Sequence, residues 1–282
     1  MWGMVMHMIW IWSAILLLSV YQTAFLDGLL DHPGSYPLDG YTWESEAFRN
    51  MQMGECLSGQ PNLDLDCLTA LMVSHDYDLS QLKEEEISGW EGLKASICQQ
   101  KPVEYRKLRQ AYQAVFADIS CFPIPASLRP REGSFVSYQD DFLAPRTYGG
   151  ERRHEGCDIL GNGAARGFYP VLSMTGGQVE QVGWLEKGGW RIGIRAPCGA
   201  YFYYAHLYGY GQEWAVGDKV EPGTLLGYMG DSGYGVQEGT VGNFEVHLHL
   251  GIYLKTDHYD ELSINPYWVL RYSEKFMRQA SY

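Results

Sequence analysis

Charge is missing from the start of this chain. Met1 to Leu26 contains no Asp, Glu, Lys or Arg, and its centre is the apolar run from Met8 to Val20. About 20 mostly apolar residues suffice to cross a bilayer as a helix. A cleaved signal peptide would carry a basic n-region and an A-x-A-like site, and neither is present, so residues 1–26 read as an uncleaved transmembrane anchor. A cleaved signal segment and a buried core helix are the competing readings. With no Lys or Arg close by, the positive-inside rule assigns no orientation. Basic residues are scarce throughout, 21 Lys and Arg against 34 Asp and Glu, for a net charge of −13. Nucleic-acid affinity rests on neutralising phosphates, so this balance argues against a nucleic-acid partner. No C-x-x-C pair occurs among the six cysteines. Their even number suits disulfides in an oxidising compartment and buried free thiols equally well. With 46% hydrophobic residues the chain has ample material for a core, which excludes intrinsic disorder.

Residues 27–40 contain Pro33, Gly34, Pro37 and Gly40 and read as a short stalk. Residues 41–121 read as helical, with no role assigned. Leu65, Leu68, Leu71 and Met72 recur at helical spacing, and Pro102 stands at the first turn of a second stripe, Leu108, Tyr112, Val115 and Ile119. Arg106, Lys107 and Arg109 belong to its wet face. Residues 122–134, with Pro123, Pro125, Pro130 and Gly133, read as an extended linker and domain boundary. From residue 135 to about 270, short Tyr-, Val- and Ile-rich runs alternate with glycine turns, which predicts a mainly β domain, followed by a tail over 271–282. The fold class expected is α+β, a small helical region followed by a β domain.

Four of the eight histidines fall in that domain in suggestive company: His154-Glu155-Gly156-Cys157-Asp158, Ala205-His206-Leu207 and His247-Leu248-His249. His7, His32, His75 and His258 lack such neighbours and read as structural or solvated. In a strand, His247 and His249 would share one face about 7 Å apart, too far for one zinc to take both easily, leaving one as ligand and one beside it. His154 and Asp158 would be about 13 Å apart in a straight strand, so the segment must bend if both are ligands; Gly156, able to adopt backbone angles closed to other residues, makes a bend reasonable. His154-Glu155 does not open an H-E-x-x-H helix, since position 158 is Asp, and Glu155 reads as solvated. Two histidines, one carboxylate and an open fourth position are a catalytic rather than a structural zinc set. Such a site activates water near neutral pH and leaves proton handling to the remaining histidines.

These residues resemble the M23 family of peptidases, which includes lysostaphin and LytM. The matching parts run in the family's order: Phe142-Leu143-Ala144-Pro145-Arg146, the His154 to Ile159 segment, Tyr204-Ala205-His206-Leu207, Val216 to Gly227 with Gly230 and Gly233, and His247-Leu248-His249. The resemblance spans about half the chain and does not reach residues 41–121. It implies an antiparallel β peptidase domain of the lysostaphin/LytM (duplicated hybrid motif) type, zinc held by His154, Asp158 and His249, His247 as general base, and His206 assisting it or stabilising the tetrahedral intermediate. It also implies peptidoglycan peptides, in stems or cross-bridges, as substrates, and hence a cell-membrane protein with its peptidase domain outside the cytoplasm. The family's Pro before H-x-H is replaced by Glu245-Val246, and Cys157 stands where a small or aliphatic residue is usual; neither change removes a ligand. Cys157 reads as packing beside the site. Loops Tyr208–Glu213 and Tyr234–Asn243 are the expected groove walls. The alternatives are a non-catalytic LytM-type module that binds wall material or activates a hydrolase, and a sugar-transport phosphocarrier, against which the apolar N-terminus and the His-x-Gly-x-Asp element both speak.

Overall fold

The computed structural model describes residues 2–31, 38–148 and 150–282. Helix α1 (Trp2–Asp31) contains a span, Met6–Gly28, of mean hydropathy 1.7, none of whose described residues is buried inside the protein. Its length and apolarity allow a membrane anchor or a signal segment. The helix runs on through Asp27–Asp31, which the sequence reading assigned to the stalk, because the residues that break regular structure come later. Those residues, Pro33, Gly34 and Pro37, lie outside the described residues.

The helical region is built on α2 (Leu65–Ser74), α3 (Trp90–Gln100) and α4 (Pro102–Phe116), preceded by short turns of helix at Glu46–Arg49 and Gly54–Ser58. Asp64 caps α2 by accepting from the Asp66 and Cys67 amides, satisfying donors that a helix start otherwise leaves orphaned. Pro102 opens α4, where its missing N–H costs nothing. Of its stripe, Leu108, Tyr112 and Val115 are buried as the period predicts, while Ile119 is buried beyond the helix end at Phe116. On the other face, Arg106 is exposed, but Arg109 pairs with Asp66 and Lys107 with Asp257.

Ten strands form one sheet: β1 (Phe135–Ser137), β2 (Cys157–Asn162), β3 (Pro170–Leu172), β4 (Gly177–Leu185), β5 (Gly189–Arg195), β6 (Tyr201–Tyr210), β7 (Lys219–Val220), β8 (Leu225–Met229), β9 (His247–Leu254) and β10 (Leu262–Ile264). The main path runs β7-β4-β5-β6-β9-β2-β1, every pairing antiparallel; β8 joins β3 to β6, and β10 pairs with β9. Alternation along β6 and β9 sends Phe202, Tyr204, Leu248, Leu250 and Ile252 into the core, and His249, Tyr203 and Tyr253 to the other face. Helix α5 (Tyr267–Ser273) closes the domain. The expected α+β architecture is the one observed.

The two regions share a single hydrophobic core, in which Leu68, Tyr112 and Phe116 join Phe202, Ile252 and Val269. Polar contacts lock it. Arg49 donates to the Ser263 carbonyl and hydroxyl at 2.8 and 2.7 Å, and Trp268 Nε1 donates to Gln52 Oε1 at 2.9 Å. Phe122 and Ile124, in the segment read as a linker, are buried in this core. In the tail, Gln279–Ala280 pairs in parallel with Ala126–Ser127. All six cysteines are free thiols.

Candidate metal centre and cleft

Strand pairing brings the predicted residues together. In β9 and β2, His249 lies directly opposite Asp158, so both side chains leave the same face. His154 reaches them because the chain bends at Gly156, as expected, but for a different reason. Gly156 does not adopt a positive φ. A Cβ there would lie 2.4 Å from His249 Cε1 and 2.6 Å from the Leu250 carbonyl oxygen, so glycine is required because the His249 ring packs over the bare backbone. A hairpin between Pro145–Arg146 and Arg152–Arg153, continued by the Leu143 amide on the His154 carbonyl at 2.7 Å, carries Asp141 and Arg146 alongside.

Three lone-pair atoms converge in a near-equilateral triangle. His154 Nε2 to His249 Nδ1 is 2.9 Å, and Asp158 Oδ1 is 3.0 Å from each. Ligand atoms of a tetrahedral ion with bonds of about 2.0–2.1 Å stand about 3.3 Å apart, so a modest expansion of this triangle seats an ion above its centre. Two imidazoles and a carboxylate are donors that zinc accepts, and the set is able to hold a metal ion. Its surroundings fix the tautomers. His154 Nδ1 lies 3.1 Å from both the Asp141 carbonyl and carboxylate oxygens, which can only accept, so Nδ1 carries a hydrogen and Nε2 is the nitrogen presented to the other two ligand atoms. Arg146 Nη2 donates to Asp158 Oδ2 at 2.7 Å and to Asp141 Oδ2 at 3.0 Å, leaving Asp158 Oδ1 as the inward atom.

Burial acts to lower the His154 pKa, but the hydrogen bonds to Asp141 and Asp158 outweigh it and raise the value to about 9. Burial likewise acts to raise the Asp158 carboxyl, yet the bonds to His154 and His249 hold it well below the ordinary carboxylate range. For His249 burial dominates and lowers the pKa, partly offset by Asp158.

The other two predicted histidines stand beside the triangle. His206 and His247 have ring centroids 4.6 Å apart, and His206 lies 5.9 Å from His249. Simple alternation along β6 would send His206 into the core, because Ala205 is the residue opposite His249. A bulge prevents this: Trp190 pairs with Leu207 but Ile192 with Tyr204, so Arg191 opposes both Ala205 and His206, and His206 takes φ +61°. His206 Nδ1 meets the Ser232 carbonyl at 2.8 Å and His247 Nδ1 the Glu245 carbonyl at 2.7 Å. A carbonyl cannot donate, so each Nδ1 carries a hydrogen, and Nε2 is the nitrogen left to accept when the ring is neutral. Burial, reinforced by His247 and His249, pushes the His206 pKa well below its usual value and keeps the ring neutral.

All five residues line one cleft of about 590 Å³. Its rim includes Tyr234, whose ring stacks on Tyr148 at 4.3 Å and whose hydroxyl accepts a 2.8 Å bond from Arg152. Of the two loops expected as walls, Tyr234–Asn243 contributes through Tyr234. The first half of Tyr208–Glu213 belongs instead to β6 and pairs with β8, since the sheet continues there. Cys157 is buried on the core side, donating to the Gln139 carbonyl, and burial raises its thiol pKa. The roles of Asp141 and of the bulge were not foreseen from sequence; no motif marks either.

The family model for peptidase family M23 matches residues 152–261. An L-Ala–D-Glu endopeptidase of Bacillus subtilis strain 168 is 40% identical over 176 residues, 62% of this chain and 50% of that protein, so the chain spans about half the length of that relative. The crystal structure of a protein assigned as a glycyl-glycine endopeptidase lytM from Ruminococcus gnavus superimposes with a TM-score of 0.76 at 42% identity, covering 88% of this chain and 98% of that one. Likeness over almost the whole of that protein, helical region included, together with the family match across the cleft, shows that this chain belongs to peptidase family M23.

Proposed function

We propose that this protein is a zinc-dependent endopeptidase that hydrolyses peptide bonds of bacterial peptidoglycan outside the cytoplasm, held at the membrane by α1. The observation that carries the reading is the triangle of His154 Nε2, Asp158 Oδ1 and His249 Nδ1 at 2.9–3.0 Å, with the acceptor nitrogens of two further histidines beside it. Zinc, when bound, supplies Lewis acidity that polarises a scissile carbonyl and acidifies water. This chain's residues do the rest. Asp141 and Arg146 hold the ligand atoms of His154 and Asp158 inward. His247, through Nε2, takes the proton of the attacking water and returns it to the leaving amine. His206, neutral and buried, suits the role of assisting that proton transfer better than that of donating to an oxyanion. The substrate lies along the cleft between Tyr234 and Tyr253.

The names of the two relatives suggest candidate bonds, L-Ala–D-Glu and Gly–Gly. The test is to purify the chain in detergent, measure its zinc, and follow release of new amino groups from peptidoglycan with and without a chelator. One zinc per chain and chelator-sensitive cleavage are expected. A folded protein with neither would leave a wall-binding or activating module as the reading.

A further inference from the structure

Arg191 is a buried cation of the cleft that lacks a counter-charge. Its backbone site is fixed on both sides, by Gly183 across β4 and by the β6 bulge that turns His206 into the cleft. The residue is only 9% exposed and lines the same cleft as His206 and His249. Among the described residues it forms no ion pair. Nη2 has Gln181 Oε1 at 3.3 Å, a long contact to a neutral group, and Nη1 is buried without an acceptor. A guanidinium cannot shed its proton to escape burial, so an unpaired one is costly unless an anion arrives. Four residues along the same strand, outside the cleft, Arg195 is satisfied within the fold by two 2.6 Å bonds to Glu180. The wider cleft points the same way. In a chain of net charge −13 its lining carries five Lys and Arg side chains against three carboxylates, one of which, Asp158, is already held by Arg146.

Resting on the endopeptidase reading, we propose that Arg191 determines specificity by pairing with a free carboxylate on the peptide substrate next to the scissile bond. The guanidinium exchanges the Gln181 amide for the substrate's carboxylate, forming the forked, charge-assisted bonds that Arg makes with carboxylates. Of the two candidate bonds, L-Ala–D-Glu supplies such a group beside the reacting carbonyl. Oligoglycine does not, and would leave Arg191 unpaired.

The test uses the full chain in detergent, loaded with zinc, and two synthetic peptides. One contains L-Ala–D-Glu with the glutamate's non-backbone carboxylate free; the other carries that group as a primary amide. Wild type is expected to cleave the acid peptide with kcat/KM about 10- to 100-fold higher, the worth of one charge-assisted pair. Arg191→Gln should lose that factor on the acid peptide, mainly in KM, with a clearly smaller loss on the amide peptide, while Arg191→Lys keeps part of the preference. Wild-type cleavage without preference, or an equal loss on both peptides in an Arg191→Gln protein of normal zinc content, would overturn the assignment alone. Should the Gln variant not fold, the wild-type ratio and the Lys variant decide. If wild type turns over neither peptide nor peptidoglycan, the endopeptidase reading fails, and the role of Arg191 with it.

Discussion

His247 and His249 are two residues apart on one strand face, yet their surroundings differ, and the proposed roles differ with them. His249 presents Nδ1 to the triangle, 3.0 Å from Asp158, while His247 Nε2 stands off at 3.7 Å with its Nδ1 tied to the Glu245 carbonyl. His249→Ala should therefore abolish both zinc retention and hydrolysis. His247→Ala should keep one zinc per chain and lower kcat by about 10²- to 10⁴-fold, the usual range for a lost acid–base group. Metal analysis beside peptidoglycan turnover checks both, and zinc lost from the His247 variant but kept by the His249 variant would reverse the assignment. Gly156 offers a separate probe. Because its added Cβ would collide with the His249 ring and the Leu250 backbone, Gly156→Ala should displace the ligand and weaken zinc binding on the order of 10- to 100-fold, as other disturbed ligand supports do. Competition with a zinc-chelating dye measures this; unchanged affinity would mean that the ring has room to move.

Elements matter here through their irregularities. The bulge in β6 lets one strand serve two faces, sending Tyr204 into the core and His206, two residues on, into the cleft instead of the interior. Hydroxyl and amide contacts brace it: Ser232 Oγ donates to the Leu207 carbonyl at 2.6 Å, and the Ser232 carbonyl receives His206 Nδ1. Helix α4 is regular and is held by its apolar stripe, with Tyr112 fully buried and its ring 5.0 Å from Phe48. Tyr112→Ala should cost about 3 kcal/mol or more through the cavity left behind, read as a lowered denaturant midpoint at unchanged zinc content. A shift under about 1 kcal/mol would mean that the helix repacks.

At the scale of the molecule, the helical region and the sheet form one folding unit, because they share a core and a set of cross-links rather than a hinge. Deleting residues 41–121 should leave Phe202, Ile252 and Val269 without part of their packing and yield insoluble or molten protein. Starting the chain at Leu38, by contrast, removes an apolar helix span with no described residue in the core, and should give a detergent-free protein with the melting temperature and specific activity of the full chain. A well-folded, active fragment from residue 134 onward would contradict the shared-core argument.

The sequence by itself carried the local information: the apolar N-terminal helix, the α4 stripe that starts at Pro102, the strand-rich second half, and the five residues of the candidate site, which stand in short motifs that periodicity and ligand chemistry can read. It also required a bend between His154 and Asp158, since a straight strand would have kept the two apart. Only the tertiary structure decided why Gly156 is glycine, how His206 comes to face the cleft against the alternation of its own strand, which nitrogen of each histidine is free, and that Asp141, Arg146 and Arg191 border the site. It also decided that Phe122 and Ile124 belong to a core rather than to an open linker. The physical reason is range. Periodicity and capping act over a few residues and leave their mark in the sequence, whereas a bulge, a ring seated over a backbone, or a cation left without its anion depends on strands and loops far apart in the chain meeting in one place.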